Sequence, residues 1–203
     1  HESKAKAFLA KITSDLDIDK FYRDIATRTL NVLCDAERYV HSHDKRLRHM
    51  LHRYYHNHKK HNQSPDYKHN HKGIYYHHKG YNIEAILHEA KDIFIDVVGL
   101  SIGLRELDIS EIGYLDYINV GNGTIRFSHG EFEVPAPATE QILNKYGLRW
   151  EKSDINEEMA TPTGVSILAG CKAKRIYALE DYHIIKKSLA KGTRGLPSIC
   201  FFL

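Results

Sequence analysis

The amino-acid sequence predicts a mixed domain, α/β or α+β, with long helices packed on a small mixed sheet and a flexible His-rich insertion. Three observations carry that expectation. Apolar residues recur at helical spacing early in the chain, β-branched and aromatic residues alternate between glycine turns in its middle, and residues 44–80 show neither pattern. A length of 203 residues suits a single domain over 1–203 that carries 44–80 as an inserted, basic, His-rich module. Hydrophobic content of 42% with 27% charged residues fits a soluble globular chain.

Residues 15–41 read as a helix, because Phe21, Ile25, Val32, Leu33, Ala36 and Val40 form one stripe, with Ser14 and Asp15 as caps at its start. A second helix is expected over about 44–56, with Leu47, Met50, Leu51 and Tyr54 as its apolar positions. From 57 to 80 the periodicity stops, and a Ser-Pro-Asp turn among polar residues predicts a flexible loop. One long helix is expected from Tyr81 to Ile109, burying Ile83, Ile86, Ala90, Ile93, Val97, Leu100 and Leu104. Its Gly99 and Gly103, four apart, would admit a close neighbour. "GYLDYINVGNGTIRFSHGEFEV" predicts two or three strands with tight turns at Gly121-Asn122-Gly123 and His129-Gly130. Pro137 suits the first turn of a helix that stops at Gly147. "TPTG" opens another short helix, and the tail reads as a strand, a glycine-bearing loop and a final apolar strand.

Charge is unevenly placed. Residues 41–80 hold nine Lys/Arg against Asp44 and Asp66, a net of +7, which leaves −4 for the rest of a chain whose total is +3. Eleven of the fifteen histidines lie in that segment. Cys34, Cys171 and Cys200 are scattered and form no CxxC, so neither a zinc ribbon nor a disulfide framework is indicated, and a cytoplasmic location is the simplest expectation. The longest apolar run, residues 93–104, contains Asp96 and is too short to span a bilayer. The chain opens on His1 in place of Met, so it is expected to be a piece of a longer protein.

Four places could carry chemistry. In the His-rich segment, His49, His52 and His56 share a helix face, and His58, His69, His71, His77 and His78 add loose pairs. Imidazoles with no cysteine and almost no carboxylate nearby suit exchangeable loading of Zn, Ni, Cu or Co better than a closed structural site, while the plainer alternative is a solvated linker. In "HEAKDIFID", His88, Asp92 and Asp96 fall at i, i+4 and i+8 with Glu89 beside them, a set that could bind a divalent ion or act as acid and base. The outer side of an amphipathic helix is the competing reading. Arg126 and His129 at a strand end could hold an anion, or form a salt bridge and a turn. Thr161, Thr163 and Gly164 open a helix, where an anion or a simple N-cap would fit. No Walker A, GxGxxG or GxSxG sequence occurs.

Taken in order, "DAERYVH", "LHEAKDIFIDVVGLSIGLRELDI", "INVGNGTIRFSHGEFEVPAPATEQIL", "EMATPTGVSIL" and "KGTRGLP" closely resemble the LarC family of nickel insertion proteins, over most of residues 16–197. The resemblance implies a nickel chelatase of the lyase class. It would insert Ni²⁺, as substrate, into pyridinium-3,5-bisthiocarboxylic acid mononucleotide, making the nickel-pincer cofactor of lactate racemase by a CTP-dependent cyclometallation that needs Mn²⁺ or Mg²⁺. On this resemblance His88, Glu89, Asp92, Asp96 and His129 are expected as metal ligands or base, Arg126 with Thr161, Thr163 and Gly164 as contacts for the mononucleotide, and the histidines from His49 to His78 as nickel-loading groups.

The sequence departs from the family pattern in three ways. The family's opening strand and Gly-Ala-Ser-Gly-Asp-Met-like turn are absent, the His-rich stretch follows the "DAERYVH"-like helix where it normally precedes it, and the family's glycine-rich run near the end is reduced to "AKGTRGLP". The domain to which CTP binding is ascribed is also missing, so a C-terminal CTP-binding domain or partner chain is expected, together with a homo-oligomer and no membrane. A nickel store or metallochaperone without catalysis is the alternative. A nucleic-acid binder ranks third, since histidine dominates arginine in the basic segment and most imidazoles are neutral near pH 7.

Overall fold

The computed structural model describes residues 2–43, 85, 87, 90–127, 130–192 and 195–203. The expected helix over 44–56 and loop over 57–80 lie outside these residues. Five helices and eight short strands make up the described part, so the mixed α/β class holds. The strands pair two by two: no single small sheet underlies the helices.

Helix α1, Glu2–Asp15, buries Glu2, Ala5, Leu9 and Thr13, one residue per turn. Ser14 and Asp15 are its last residues, a correction to their expected role as caps of the next helix. The chain turns at Asp17, whose φ is +48°, and Ile18 drops into the core. Helix α2, Lys20–His43, is the central post. It buries residues around most of its circumference, Ile25, Ala26, Thr29, Leu30, Leu33, Cys34, Ala36 and Val40 among them, because other helices pack on several sides of it. Phe21, expected inside, is exposed; Tyr22 takes the inward position, with the two rings edge to face at 5.1 Å.

Helix α3, Ala90–Glu106, buries Ile93, Val97 and Leu104 as the spacing predicted. It starts later than expected, for Ala85 and Leu87 are not helical. The Ala85 N–H donates to the Glu2 carboxylate at 3.2 Å, so it is not spent on a helical carbonyl four residues back. No described residue comes within 4 Å of the place a Cβ would occupy at Gly99 or Gly103, so among the described residues neither makes the close approach expected of them. That approach occurs at Gly170 instead, the last residue of helix α5 (Pro162–Gly170), against Thr29 of α2. The Arg28 Nε–H donates to the Gly170 carbonyl at 2.8 Å and fixes the contact.

Helix α4, Pro137–Lys145, begins on a proline as expected. The ends of α1, α3, α4 and α5 share one geometry: a left-handed residue (Asp17, Asp108, Gly147, Lys172), followed by an N–H bonded five residues back. This Schellman arrangement turns Ile18, Ile109, Leu148 and Ala173 back toward the body.

Strands β1 (Gly113–Leu115) and β6 (Lys174–Ile176) run parallel, as do β2 (Ile118–Gly121) and β5 (Trp150–Lys152). Strands β3 (Thr124–Phe127) and β4 (Gly130–Glu133) form an antiparallel hairpin, and β7 (Lys187–Ala190) with β8 (Ile199–Phe202) another. Glycine is required between β2 and β3. Gly121 (φ +81°) and Gly123 (φ +84°) press against the Glu157 backbone and the Asn156 side chain, leaving no room for a Cβ. Among the described residues no helix is long and apolar enough to cross a membrane.

Candidate functional site

The β3–β4 hairpin sorts its side chains by the two-residue period of a strand. Ile125, Phe127 and Phe132 share the inward face, with the Phe127 and Phe132 rings stacked at 4.9 Å. Thr124, Arg126, Glu131 and Glu133 share the other. Arg126 stands across from Glu131, and Thr124 across from Glu133, all exposed. Thr124, Glu131 and Glu133 line an open depression of about 510 Å³, closed on its far side by Glu140 in the first turn of α4 and by Trp150 and Lys152 of β5. The first-turn position of Glu140 is one that a helix N-terminus favours for an acid.

A second depression, of about 580 Å³, shares Trp150 with the first. Tyr114, Asn144, Arg149, Arg175 and Tyr177 line it. The parallel register sets Tyr114 directly beside Arg175. The Arg149 N–H donates to the Tyr114 hydroxyl at 3.0 Å, and the Trp150 indole N–H donates to Asn144 Oδ1 at 3.2 Å. One depression is thus rimmed by three carboxylates and the other by two guanidiniums, and Trp150 lines both.

The expected site residues fall in several places. Asp92 and Asp96 sit one turn apart on the outer face of α3, both exposed with Ile95 between them, and neither makes an ion pair with another described residue. His88, Glu89 and His129 lie outside the described residues, as do His49, His52, His56, His58, His69, His71, His77 and His78. Arg126 is on the outer hairpin face. Thr161 caps α5: its hydroxyl accepts the Gly164 N–H at 3.2 Å, and Pro162 has no N–H to offer. The Ser166 hydroxyl donates to the Thr163 carbonyl at 2.7 Å, so much of this turn is committed to its own helix.

The structure adds groups that the spacing missed. Glu131 and Glu133 could have been found, since they alternate opposite Arg126 in the hairpin. Glu140 and Arg175 could not, because only the docking of α4 and the pairing of β1 with β6 bring them near Trp150, while Arg149 adjoins Trp150 in the chain but nothing in its spacing marks it. Another is His41, buried in the last turn of α2 with Nε2 3.5 Å from the Glu37 carboxylate. Thiol chemistry is disfavoured. Burial pushes the Cys34 thiol up to about 12, helped by the Glu2 charge, and burial pushes Cys171 to about 11, so neither supplies a thiolate near neutral pH. Among the described residues no group of three or more His, Cys, Asp or Glu side chains is gathered closely enough to hold a metal ion.

These features define a class: a mixed α/β body whose surface presents carboxylates, guanidiniums and aromatic rings, with Cys34 and Cys171 held as thiols. The chain belongs to the nickel insertion protein family, whose model matches residues 77–202. A protein of Methanosarcina acetivorans is 45% identical over 106 residues, 52% of this chain and 26% of that protein. The pyridinium-3,5-bisthiocarboxylic acid mononucleotide nickel insertion protein of Alkaliphilus metalliredigens is 34% identical over 116 residues, 56% of this chain and 27% of its own length. Its namesake in Staphylococcus epidermidis is 38% identical over 89 residues, 43% of this chain and 22% of its own length. The chain therefore aligns with about a quarter of each of these relatives. No solved structure matches.

Proposed function

We propose that this chain is the nickel-handling part of an enzyme that inserts Ni²⁺ into pyridinium-3,5-bisthiocarboxylic acid mononucleotide, yielding the nickel-pincer cofactor of lactate racemase. The observation that carries the reading is the family match over residues 77–202, together with relatives named for that substrate. Nickel is the substrate's metal, taken up and handed on. The histidines from His49 to His78 gather it in exchangeable form, because imidazoles bind borderline divalent ions without the closed tetrahedral cage of a structural site.

In the reaction a nickel–carbon bond forms at the pyridinium ring and the ring C–H bond breaks, so a base must accept the proton. His88, Glu89, Asp92, Asp96 and His129 are the proposed ligands and base. Arg126 on the outer hairpin face, with Thr161, Thr163 and Gly164, is proposed to meet the carboxylate or phosphate groups. CTP and its Mn²⁺ or Mg²⁺ would enter through a C-terminal domain or partner chain. The test is nickel transfer to the mononucleotide, measured with this chain alone and with a CTP-binding partner. Transfer that needs both supports the reading, and no transfer even with the partner present rules it out.

A second reading, nickel storage or metallochaperoning, is favoured by the concentration of eleven histidines in residues 41–78. Deleting residues 57–80 separates the two. A store loses nearly all metal capacity, whereas an enzyme keeps a residual site in the body.

A further inference from the structure

The depression beside Arg149 and Arg175 is rich in donors and poor in acceptors. Arg175 Nη2 is paired with Asp116 at 2.6 Å, and the guanidinium lies over the Tyr177 ring, 4.7 Å from its centroid. The Arg175 Nε–H is buried and has no hydrogen-bond partner. A buried N–H left unmade costs free energy, so this guanidinium is not fully satisfied by its described neighbours. Arg149 commits one Nη to Glu151 at 2.5 Å and keeps its other donors. The Tyr114 hydroxyl accepts from the Arg149 backbone, so its own hydrogen is available to a ligand. The amide acceptor in the lining, Asn144 Oδ1, is likewise taken, by the Trp150 indole N–H. Asp116 and Glu151 balance the two guanidinium charges, so the site selects by geometry of donors and not by net charge. Such a fork matches a phosphate, which takes several short hydrogen bonds through oxygens that donate none. Tyr177, largely exposed, and Trp150 supply flat faces beside it.

We propose that this depression seats the phosphate of a planar mononucleotide, whose ring reaches across Trp150 toward the carboxylate-rimmed depression. The assignment rests on the substrate class proposed above and adds where that substrate's phosphate binds. The ring, with the thiocarboxylates that receive Ni²⁺, would then lie toward the hairpin that carries Arg126, the residue proposed above to meet its anionic groups, and the phosphate beside Arg149 and Arg175.

The chain carries its own reporter, because Trp150 is its one tryptophan. Titration of the full chain with nicotinic acid mononucleotide should quench Trp150 emission saturably. Nicotinamide mononucleotide, which keeps the phosphate and lacks the carboxylate, should bind as well. Nicotinic acid riboside, which lacks the phosphate, should bind about tenfold more weakly or worse. Arg175→Gln should weaken both mononucleotides about tenfold or more, with Arg175→Lys recovering only part. Lys187→Gln, on the β7–β8 hairpin and not in the lining, controls for net charge and should bind normally. A melting curve of Arg175→Gln checks folding, and Tyr177→Leu, altering an exposed ring, gives a second variant expected to lose affinity. Absence of saturable quenching in the unaltered chain, equal affinity in Arg175→Gln, or a riboside binding as tightly as the mononucleotides overturns the proposal. The nickel-transfer assay keeps the two ideas apart. Arginine-dependent binding without transfer would leave the site standing and remove the enzymatic reading, while transfer with unaltered binding in Arg175→Gln would do the reverse.

Discussion

Replacing Gly170 by alanine sets two magnitudes against each other. Intrinsic propensity favours alanine over glycine in a helix by up to about 1 kcal/mol, and less at a final position, so sequence reasoning alone predicts a mild stabilisation. The structure reverses the sign. A Cβ at Gly170 would come within 2.7 Å of Thr29 Cα and 2.8 Å of Thr29 N, with the Thr29 hydroxyl closer still. Two of these are backbone atoms of α2, so no rotamer change relieves them, and α5 must move away from the central helix. Overpacking of this kind costs about 1–3 kcal/mol. The movement also stretches the bond from Arg28 Nε to the Gly170 carbonyl, a charged donor whose hydrogen bonds are worth about 1.5–3 kcal/mol. Net destabilisation of about 1–3 kcal/mol is expected, lowering the melting temperature by roughly 2–4 °C per kcal/mol for a chain of this size. Gly99→Ala is the paired control. It is helical, exposed and open around the Cβ position, so it should stabilise by about 0.5–1 kcal/mol. Urea unfolding of the three proteins, compared at a common slope, is the assay. If Gly170→Ala matches or exceeds the unaltered chain while Gly99→Ala behaves as expected, the close approach of α5 to α2 is refuted.

Four further outcomes follow from the same geometry. Thr161→Ala should cost about 0.5–2 kcal/mol of stability through loss of the Gly164 cap, measured by urea unfolding. An unchanged stability would return that turn to the role of a pure ligand contact. Lys172→Gly should stabilise by about 1 kcal/mol, because it relieves a left-handed residue at φ +56° in an exposed position, and a melting curve reads the gain. Burial works to raise the Glu2 pKa, but the Lys6 hydrogen bond, the Ala85 N–H and the Arg38 charge outweigh it and hold the carboxyl below its ordinary 4.5. A depressed acid stabilises fully above its unfolded value and loses that contribution as pH falls through the folded one, so Glu2→Gln should be less stable at pH 7 and approach the unaltered chain below about pH 4.5. In the native chain at pH 8, Cys34 and Cys171 should resist a thiol reagent and react only in denaturant, as counted by mass spectrometry.

What the sequence disclosed of the fold was local. The stripe over 25–40, Pro137 at a helix start, Thr161 at another and the glycines of "VGNG" each act within a few residues, and each sits where its chemistry requires. Helix ends were legible only where glycine marked them. Gly147 signalled the end of α4, while Asp17, Asp108 and Lys172 hold the same left-handed position with no signal of their own. Their conformation is imposed by the residue that follows, which the body pulls inward. Strands β5 and β6 are three residues long, too short for a period-two pattern to stand above chance, and their partners lie 32 and 61 residues earlier at the first paired positions. The late start of α3 was hidden for a similar reason, since the competing acceptor for the Ala85 N–H is Glu2, 83 residues away.

The same distinction governs the site. Arg126, Asp92 and Asp96 were visible because charge stood out against an apolar run, and the structure leaves all three exposed. Their mutual arrangement was not visible, and neither was the line of polar groups around Trp150. That line arises from two joins made far apart in sequence, β1 with β6 and β2 with β5, and from a nearer one, α4 set beside the hairpin it follows. Glu140 is set by the proline that starts α4, Arg149 by the Leu148 turn that ends it, and Trp150 by the strand that follows at once. Helix α4 and its two ends therefore carry one group of the carboxylate depression, one of the arginine depression and the indole they share. A change that displaced α4 would disturb both depressions together, whereas a change on the outer hairpin face would disturb only the first. This coupling is a physical reason for a ligand that spans Trp150 to be recognised as a whole, and not as a ring and a phosphate taken separately.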